Sequence, residues 1–290
     1  MNKKIIGKLG ILALGACLIA GCQPQSATPQ NHQVQTAYDR VIQTGTIRLG
    51  YVPYPPGLIK DPNTKKITGI FAEVLEEAAH NLDLKVEWTE EVGWGTMVEG
   101  LKANRYDMIG SPVWPLSQRA KLADFTVPVY YGGLAAYVRA DDHRFDANVA
   151  LLNDPSVKIA TIDGEVTDNL ARYDFPKAQR VSQPQSTEIA SLLKTVTSGR
   201  ADVTFVEPFV ALEFLKNNPN SLREPAPGRA LCLYPNTYML YRDQGHFKSM
   251  LDNAIIELVN NGFVDRVLDK YEPAKGAFYR RALPYRTSSQ

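Results

Sequence analysis

Short apolar runs alternate with amphipathic helical patterns, and this alternation limits the folds that the chain can adopt. Apolar and β-branched residues predict strands over residues 46–51, 84–88 and 106–110. Helical spacing of apolar side chains predicts helices over 69–81 and 96–103, between those strands. A strand–helix–strand–helix–strand order favours a mostly parallel sheet with helices packed on its faces.

The same order recurs later in the chain. Strands are predicted over 157–162 and 203–206, with two helical patterns between them. Similar junctions occur at residues 104–107 and 199–202, where Asn or Gly, then Arg, then one further residue precede Asp. The repetition predicts an α/β fold with two similar lobes. Open α/β sheets bind their ligands at the carboxyl ends of the strands.

The first 22 residues have the pattern of an export signal. Three lysines precede an apolar run that ends at Gly21, and this run is shorter than the roughly 20 residues of a membrane-spanning helix. Residues 18–22 resemble the bacterial lipobox, in which the signal is cleaved before a cysteine that then carries lipid. We therefore expect a signal peptide over 1–21 and a lipid on Cys22, with an ordinary secretory signal as the alternative. Polar residues 22–37 are expected to form a flexible tether.

Composition excludes several classes of function. The formal net charge is +1 and becomes −2 when the three signal lysines are removed, so no basic surface for nucleic acid is indicated. After Cys22 the sequence holds a single cysteine, Cys232, which has no partner for an internal disulfide. The four histidines are scattered without metal-ligand spacing, and the sequence has no phosphate-binding glycine motif. We expect neither a metal nor a cofactor.

Six segments occur in a characteristic order, at residues 54–56, 69–73, 101–107, 119–125, 199–207 and 261–271. Together they resemble the landmarks of the family 3 extracellular solute-binding proteins, the type II periplasmic receptors that deliver amino acids to ABC importers. The resemblance implies two α/β lobes, each a mostly parallel sheet flanked by helices, joined by two crossing strands. It implies one lobe over 38–129 plus 239–275 and a second over 130–238 with hinge strands at its ends. The remaining residues 276–290 are basic, and we expect them to form a poorly ordered tail.

The resemblance also implies a ligand site. The family's matching arginine binds the ligand's α-carboxylate, which implies that role for Arg119, since guanidinium and carboxylate form two parallel hydrogen bonds. Glu207 stands where the family usually has an aspartate that pairs with the α-ammonium. Tyr54, Trp94 and Trp114 lie on segments that line the cleft in related proteins. The alternatives are a surface arginine, a surface acid at a strand end, and core packing for Trp94.

Two departures weaken the case for an ordinary α-amino acid. The amino-acid receptors of this family usually have a threonine, which helps to bind the carboxylate, at the position of Leu116 in this chain; Ser117 is the nearest substitute. The same receptors usually have Gly-Thr-Thr at a helix start, where this chain has Gly-Glu-Val-Thr. There Glu165 would repel a carboxylate, and Thr167 alone supplies a hydroxyl. Arg119 and Glu207 thus favour a zwitterion, whereas Glu165 and the aromatic residues favour a more cationic ligand.

The leading hypothesis is a monomeric extracytoplasmic lipoprotein that captures a small solute, an amino acid or related amine, for an ABC importer permease. It would lie in the periplasm or at the cell surface, and Gln23 after Cys22 favours the outer membrane in a Gram-negative cell. An enzyme resembling periplasmic cyclohexadienyl dehydratases is the first alternative. The position of the proton-donating glutamate in those enzymes corresponds to Val210 in this chain, and a valine side chain cannot transfer a proton. A sensor lipoprotein of the same fold is the second alternative.

Overall fold

The predicted alternation of strands and helices is present in the computed structural model, which describes residues 36–146, 148–273 and 277–281. The helices are α1 (Ala37–Thr44), α2 (Ile70–Asn81), α3 (Met97–Lys102), α4 (Val166–Asp174), α5 (Ala190–Thr197), α6 (Pro208–Asn217), α7 (Gly245–Asn260) and α8 (Phe263–Tyr271). The strands are β1 (Thr46–Tyr51), β2 (Ile59–Lys60), β3 (Ile67–Thr68), β4 (Lys85–Glu91), β5 (Met108–Val113), β6 (Ala123–Phe125), β7 (Tyr130–Arg139), β8 (Lys158–Ile162), β9 (Gln179–Gln183), β10 (Val203–Val206), β11 (Leu222–Arg223), β12 (Cys232–Tyr241) and β13 (Phe278–Tyr279).

The sheet is mostly parallel within each lobe. Its strand order is β4-β1-β5-β12-β7-β10-β8-β9. In the first lobe, β1 pairs in parallel with β4 and β5, and α2 packs over them with its buried apolar face. In the second lobe, β8 pairs in parallel with β9 and β10, flanked by α4 and α5. Each lobe therefore has the predicted sheet with helices against it.

Two long antiparallel strands connect the lobes. β7 and β12 pair from Leu134 opposite Cys232 to Tyr130 opposite Asn236. Beyond this pairing, β12 continues into the first lobe beside β5, and β7 continues into the second lobe beside β10. These are the two crossing strands that the family resemblance implies.

The repeated junctions have a shared structural reason. Asn104 and Gly199 both adopt left-handed backbone conformations, with φ of 54° and 73°. Asp107 then accepts a hydrogen bond from the backbone N–H of Arg48 in the first half of β1, at 2.7 Å. Asp202 likewise accepts from the backbone N–H of Lys158 at 2.8 Å, where β8 begins. Each aspartate is bonded to the backbone of a parallel strand in its own lobe, so the sequence repetition reflects similar positions in the two lobes.

The predicted tether ends earlier than expected. Thr36 caps α1 through a reciprocal hydrogen-bonded pair with Asp39, so residues 36 and 37 belong to the folded part. The predicted signal peptide, Cys22 and the tether up to residue 35 lie outside the described residues. Within the described ranges, none of the helices combines the length and apolar character that crossing a bilayer requires.

The prediction of a poorly ordered tail is wrong for residues 277–281. β13 pairs with β7, where Phe278 lies opposite Gly132. The Phe278 side chain is buried against the rings of Tyr130 and Phe209. Arg280 forms ion pairs with acidic residues on and after α8. Arg280, one of the basic residues that suggested a solvated tail, therefore attaches this segment to α8 through ion pairs.

Candidate functional site

Side chains at the carboxyl ends of the parallel strands converge on one cavity between the lobes. Trp114 directly follows β5, and Glu207 directly follows β10. Tyr54, Trp94 and Glu165 each lie three residues after the ends of β1, β4 and β8. This is the edge at which open α/β sheets bind ligands.

The cavity is mainly apolar, with a few polar groups. Its lining is formed by Tyr54, Trp94, Pro112, Trp114, Arg119, Leu134, Ile162, Glu165, Val166, Thr167, Ile189, Leu192, Phe205, Val206 and Glu207. An apolar wall with few polar side chains is typical of small-molecule sites. In the described part of the chain, no group of His, Cys, Asp or Glu is arranged to hold a metal ion.

Glu207 supplies a deeply buried carboxyl to this cavity. The residue is 1% exposed, and Tyr54 Oη of the first lobe donates a hydrogen bond to its Oε2 at 2.7 Å. Its Oε1 makes no hydrogen bond with the described residues, nor does the buried Nδ2 of Asn236 beside it. Burial raises the pKa of Glu207 to about 7, although the nearby Tyr54 hydroxyl and Asn236 amide favour the ionised form.

Gly132 makes room for the longer acid at position 207. A Cβ added to Gly132 would overlap Glu207 Oε1 and would lie 3.0 Å from Asn236 Nδ2. The absence of a side chain at Gly132 on β7 therefore leaves space for a glutamate at position 207, which is longer than the aspartate expected from the family resemblance. The adjacent Tyr130 is fully buried, and the charge of Glu207 contributes, after burial, to raising the pKa of its phenol.

Arg119 and Glu165 meet across the cavity. Arg119 Nη2 donates to Glu165 Oε1 at 2.5 Å, and the two side chains are 11% and 13% exposed. Burial raises the pKa of Glu165, and the charge of Arg119 offsets part of that rise. The predicted carboxylate-binding arginine therefore already holds a carboxylate of its own chain.

The other predicted site residues divide into two groups. Tyr54, Trp94 and Trp114 line the cavity, and the rings of Tyr54 and Trp94 meet edge to face at 5.9 Å. Thr167 also lines it, but its hydroxyl accepts a hydrogen bond from the backbone N–H of Ile162 at 3.1 Å. Ser117 is exposed and is not among the lining residues, so it does not replace the missing threonine hydroxyl.

Sequence reasoning missed the groups behind the cavity wall. Asn236 accepts a hydrogen bond from Trp114 Nε1 at 3.0 Å, and Phe209 packs its ring against Tyr54 at 5.6 Å. The Gly132–Gly133 pair was an available signal, because two glycines inside a predicted crossing strand indicate close approach by another group. Nothing comparable in the sequence indicated Asn236.

The fold and the cavity define a two-lobed binding protein of the type II periplasmic class. The chain belongs to the bacterial extracellular solute-binding proteins, family 3, whose model matches residues 47–274.

The chain is similar in sequence to named binding proteins of other bacteria. A probable amino-acid ABC transporter-binding protein of Haemophilus influenzae is 29% identical over 63% of this chain and 68% of its own length. The L-cystine-binding protein TcyA of Bacillus subtilis is 23% identical over 93% of this chain and 97% of its own.

Solved structures share the fold. The crystal structure of the ancestral amino acid-binding protein AncCDT-1, a precursor of cyclohexadienyl dehydratase, matches with a TM-score of 0.67 at 23% identity, covering 81% of this chain and 99% of that one. At the position where the dehydratase resemblance would require a proton donor, this chain has Val210, which packs against the apolar core.

Proposed function

We propose that the protein is a solute receptor that captures a small ammonium-bearing compound, an amino acid or a related amine, and delivers it to an ABC importer. The observation that carries this proposal is the buried carboxyl of Glu207 on a cavity lined by both lobes. A carboxylate removed from water favours a cationic partner, because without one it either stays an uncompensated buried charge or takes up a proton, as its raised pKa indicates. The names of the relatives support the amino-acid class.

Capture requires the lobes to close around the solute. Three hydrogen-bonded pairs already span the lobes: Tyr54 with Glu207, Arg119 with Glu165, and Gln118 with Asn169 at 2.9 Å. A solute that contacts both walls binds the closed form more tightly than the open form and so shifts the population toward closure. The hinge would lie where β7 and β12 pair, consistent with lobes over 38–129 plus 239–275 and over 130–238.

The aromatic side chains would complete the ammonium site. Tyr54, Trp94 and Trp114 line the same cavity as Glu207. Aromatic faces attract cations by about 0.5–2 kcal/mol for each contact. The Tyr54 hydroxyl stays protonated because burial, followed by the charge of Glu207, raises its pKa well above the usual value. It therefore remains a hydrogen-bond donor to Glu207.

Attachment to a membrane is part of the same proposal. Cleavage before Cys22 and lipidation of its thiol would tether the receptor outside the cytoplasm beside its permease. Gln23 after the cysteine favours the outer membrane in a Gram-negative cell. Metabolic labelling with a radioactive fatty acid tests this directly: the protein should carry the label, and Cys22→Ala should lose it.

Isothermal calorimetry of the purified protein against the proteinogenic amino acids and their amines tests the proposed binding. At least one should bind, and Glu207→Gln should weaken that binding by about 10-fold or more, since it removes a charge-assisted contact. Glu224→Gln is the matched control: Tyr137 Oη donates to Glu224 at 2.6 Å, but this second tyrosine–carboxylate pair does not line the cavity. Unchanged affinity in Glu207→Gln would remove Glu207 from the site.

A receptor of this kind binds its solute without converting it. Incubation with prephenate and arogenate tests this point, and neither should be consumed. Turnover of either compound that is lost in Glu207→Gln would replace the receptor proposal with an enzyme.

A further inference from the structure

Glu165 lies in an unusual place for an acid at a helix start. It is the N-cap residue of α4, yet its side chain accepts no hydrogen bond from the first turn of that helix. Aspartate at an N-cap commonly accepts such a bond, whereas glutamate is not among the residues preferred at that position. Its carboxylate instead reaches across the cavity to Arg119 on the other lobe. The position that an external carboxylate would take on this arginine therefore holds an internal one.

The charges of the cavity show what this pairing leaves for a ligand. Among the described residues that line it, Arg119 is the sole cation, and Glu165 and Glu207 are the acids. With both acids ionised, the lining carries a net charge of −1 and one ammonium group neutralises it. A zwitterion would leave that net charge in place and would bring a third carboxylate beside Glu165. Like charges in a poorly solvated site disfavour each other strongly.

Few neutral groups remain to assist a ligand carboxylate. Thr167 Oγ1 accepts a hydrogen bond from the backbone N–H of Ile162, which leaves its O–H as a single hydroxyl donor, and Leu116 has no hydroxyl. Ser117 is exposed away from the lining. The remaining wall is aliphatic and aromatic, which suits the body of an organic amine.

Resting on the proposed function, we infer that Glu165 acts as a built-in carboxylate that excludes α-amino acids, and that the cavity selects amines that lack a carboxylate. Arg119 and Glu165 then form an ion pair that closes one side of the cavity, and Glu207 with the aromatic rings receives the ammonium group. Glu165 is the specificity-determining residue of the site.

Matched pairs of an amino acid and its decarboxylated amine test this inference, because the two members differ by the carboxylate alone. Suitable pairs come from amino acids with uncharged side chains: phenylalanine with 2-phenylethylamine, tyrosine with tyramine, tryptophan with tryptamine, and leucine with 3-methylbutylamine. Calorimetry with the wild-type protein should show that the amine binds at least about 10-fold more tightly than its parent in the pairs that bind. Tighter binding of the amino acids would overturn the inference and leave the proposed function standing. Binding of no amine in these pairs would likewise overturn the inference, whereas the proposed function fails only if no compound of the full calorimetric panel binds.

Removing the charge of Glu165 should reverse the preference. Glu165→Gln keeps the size of the side chain and leaves Arg119 with an uncompensated charge, so the parent amino acids should gain at least about 10-fold over their amines relative to wild type. Glu165→Thr is the second variant, and thermal unfolding confirms that each variant folds. Glu224→Gln should keep the wild-type preference. An unchanged preference in both folded Glu165 variants would refute the inference.

Discussion

Replacing Glu207 with glutamine should stabilise the protein at alkaline pH even though it weakens binding. The carboxyl is 1% exposed, and burial raises its pKa from 4.5 to about 7 against the opposing influence of Tyr54 and Asn236. Below about pH 4.5 the group is protonated in the folded and unfolded chains alike. As the pH rises from 4.5 to 7, the unfolded chain releases the proton first, so the free energy of unfolding falls.

The size of this effect follows from the shift. A difference of about 2.5 pKa units corresponds to roughly 3 kcal/mol of lost stability above pH 7, at about 1.4 kcal/mol for each unit. Glutamine has nearly the same shape, can still accept the Tyr54 hydrogen bond and does not titrate. Relative to wild type, Glu207→Gln should therefore gain about 3 kcal/mol at pH 8 and less than about 1 kcal/mol at pH 5.

Urea unfolding at these two pH values, without ligand, measures the difference. Comparing wild type with Glu207→Gln cancels the titration of all other groups that the substitution leaves unchanged. Tyr54→Phe is the matched variant, because it removes a hydrogen bond that favours the ionised carboxyl. It should make the loss of stability toward pH 8 larger than in wild type. A stability difference between wild type and Glu207→Gln that is the same at both pH values would show that Glu207 does not titrate with a raised pKa in the folded protein.

Three further substitutions test the packing and charge of the site. In urea unfolding, Gly132→Ala should destabilise the protein by about 2 kcal/mol because the added methyl group overlaps Glu207, and adding Glu207→Asp should restore part of the loss. Equal stability of Gly132→Ala and wild type would contradict this overlap. Arg119→Ala should lower the free energy of unfolding by about 2 kcal/mol because Glu165 loses its partner, and adding Glu165→Gln should recover more than half of the loss. Additive losses would show that the two residues are not coupled. Phe278→Ala should lower the free energy of unfolding by about 2 kcal/mol, less than for an enclosed core phenylalanine, because a terminal strand can detach. No change would show that β13 does not stabilise the hinge.

Local patterns predicted the elements well where one face is continuously buried. β10 and β1 have the predicted limits, and α2 differs from its prediction by one residue. These segments carry their signal in their own sequence, because strand and helix periodicities depend on neighbouring residues. The family resemblance pointed to Tyr54, Trp94, Trp114, Arg119 and Glu207, and all five line the cavity.

What the sequence could not predict depends on contacts between distant segments. Glu165 was expected to repel a ligand carboxylate, but its ion pair with Arg119 forms only when the two lobes approach each other. Phe278 is an apolar residue within a basic segment, and its pairing with β7 joins residues far apart in the chain. Gly132 lies in a predicted hinge strand and Glu207 in the predicted ligand site, and only their juxtaposition explains the longer acid.

If the two lobes close on a solute, the distance between them should shorten when the solute binds. Spin labels at Lys102→Cys in the first lobe and Lys177→Cys in the second, both exposed positions, would report that distance by pulsed electron resonance in a Cys232→Ala background. We expect a shorter and narrower distance distribution when the tightest-binding solute of the calorimetric panel is added, and no such change for that solute in Glu207→Gln. A distribution that stays the same with and without a solute proven to bind would rule out capture by lobe closure.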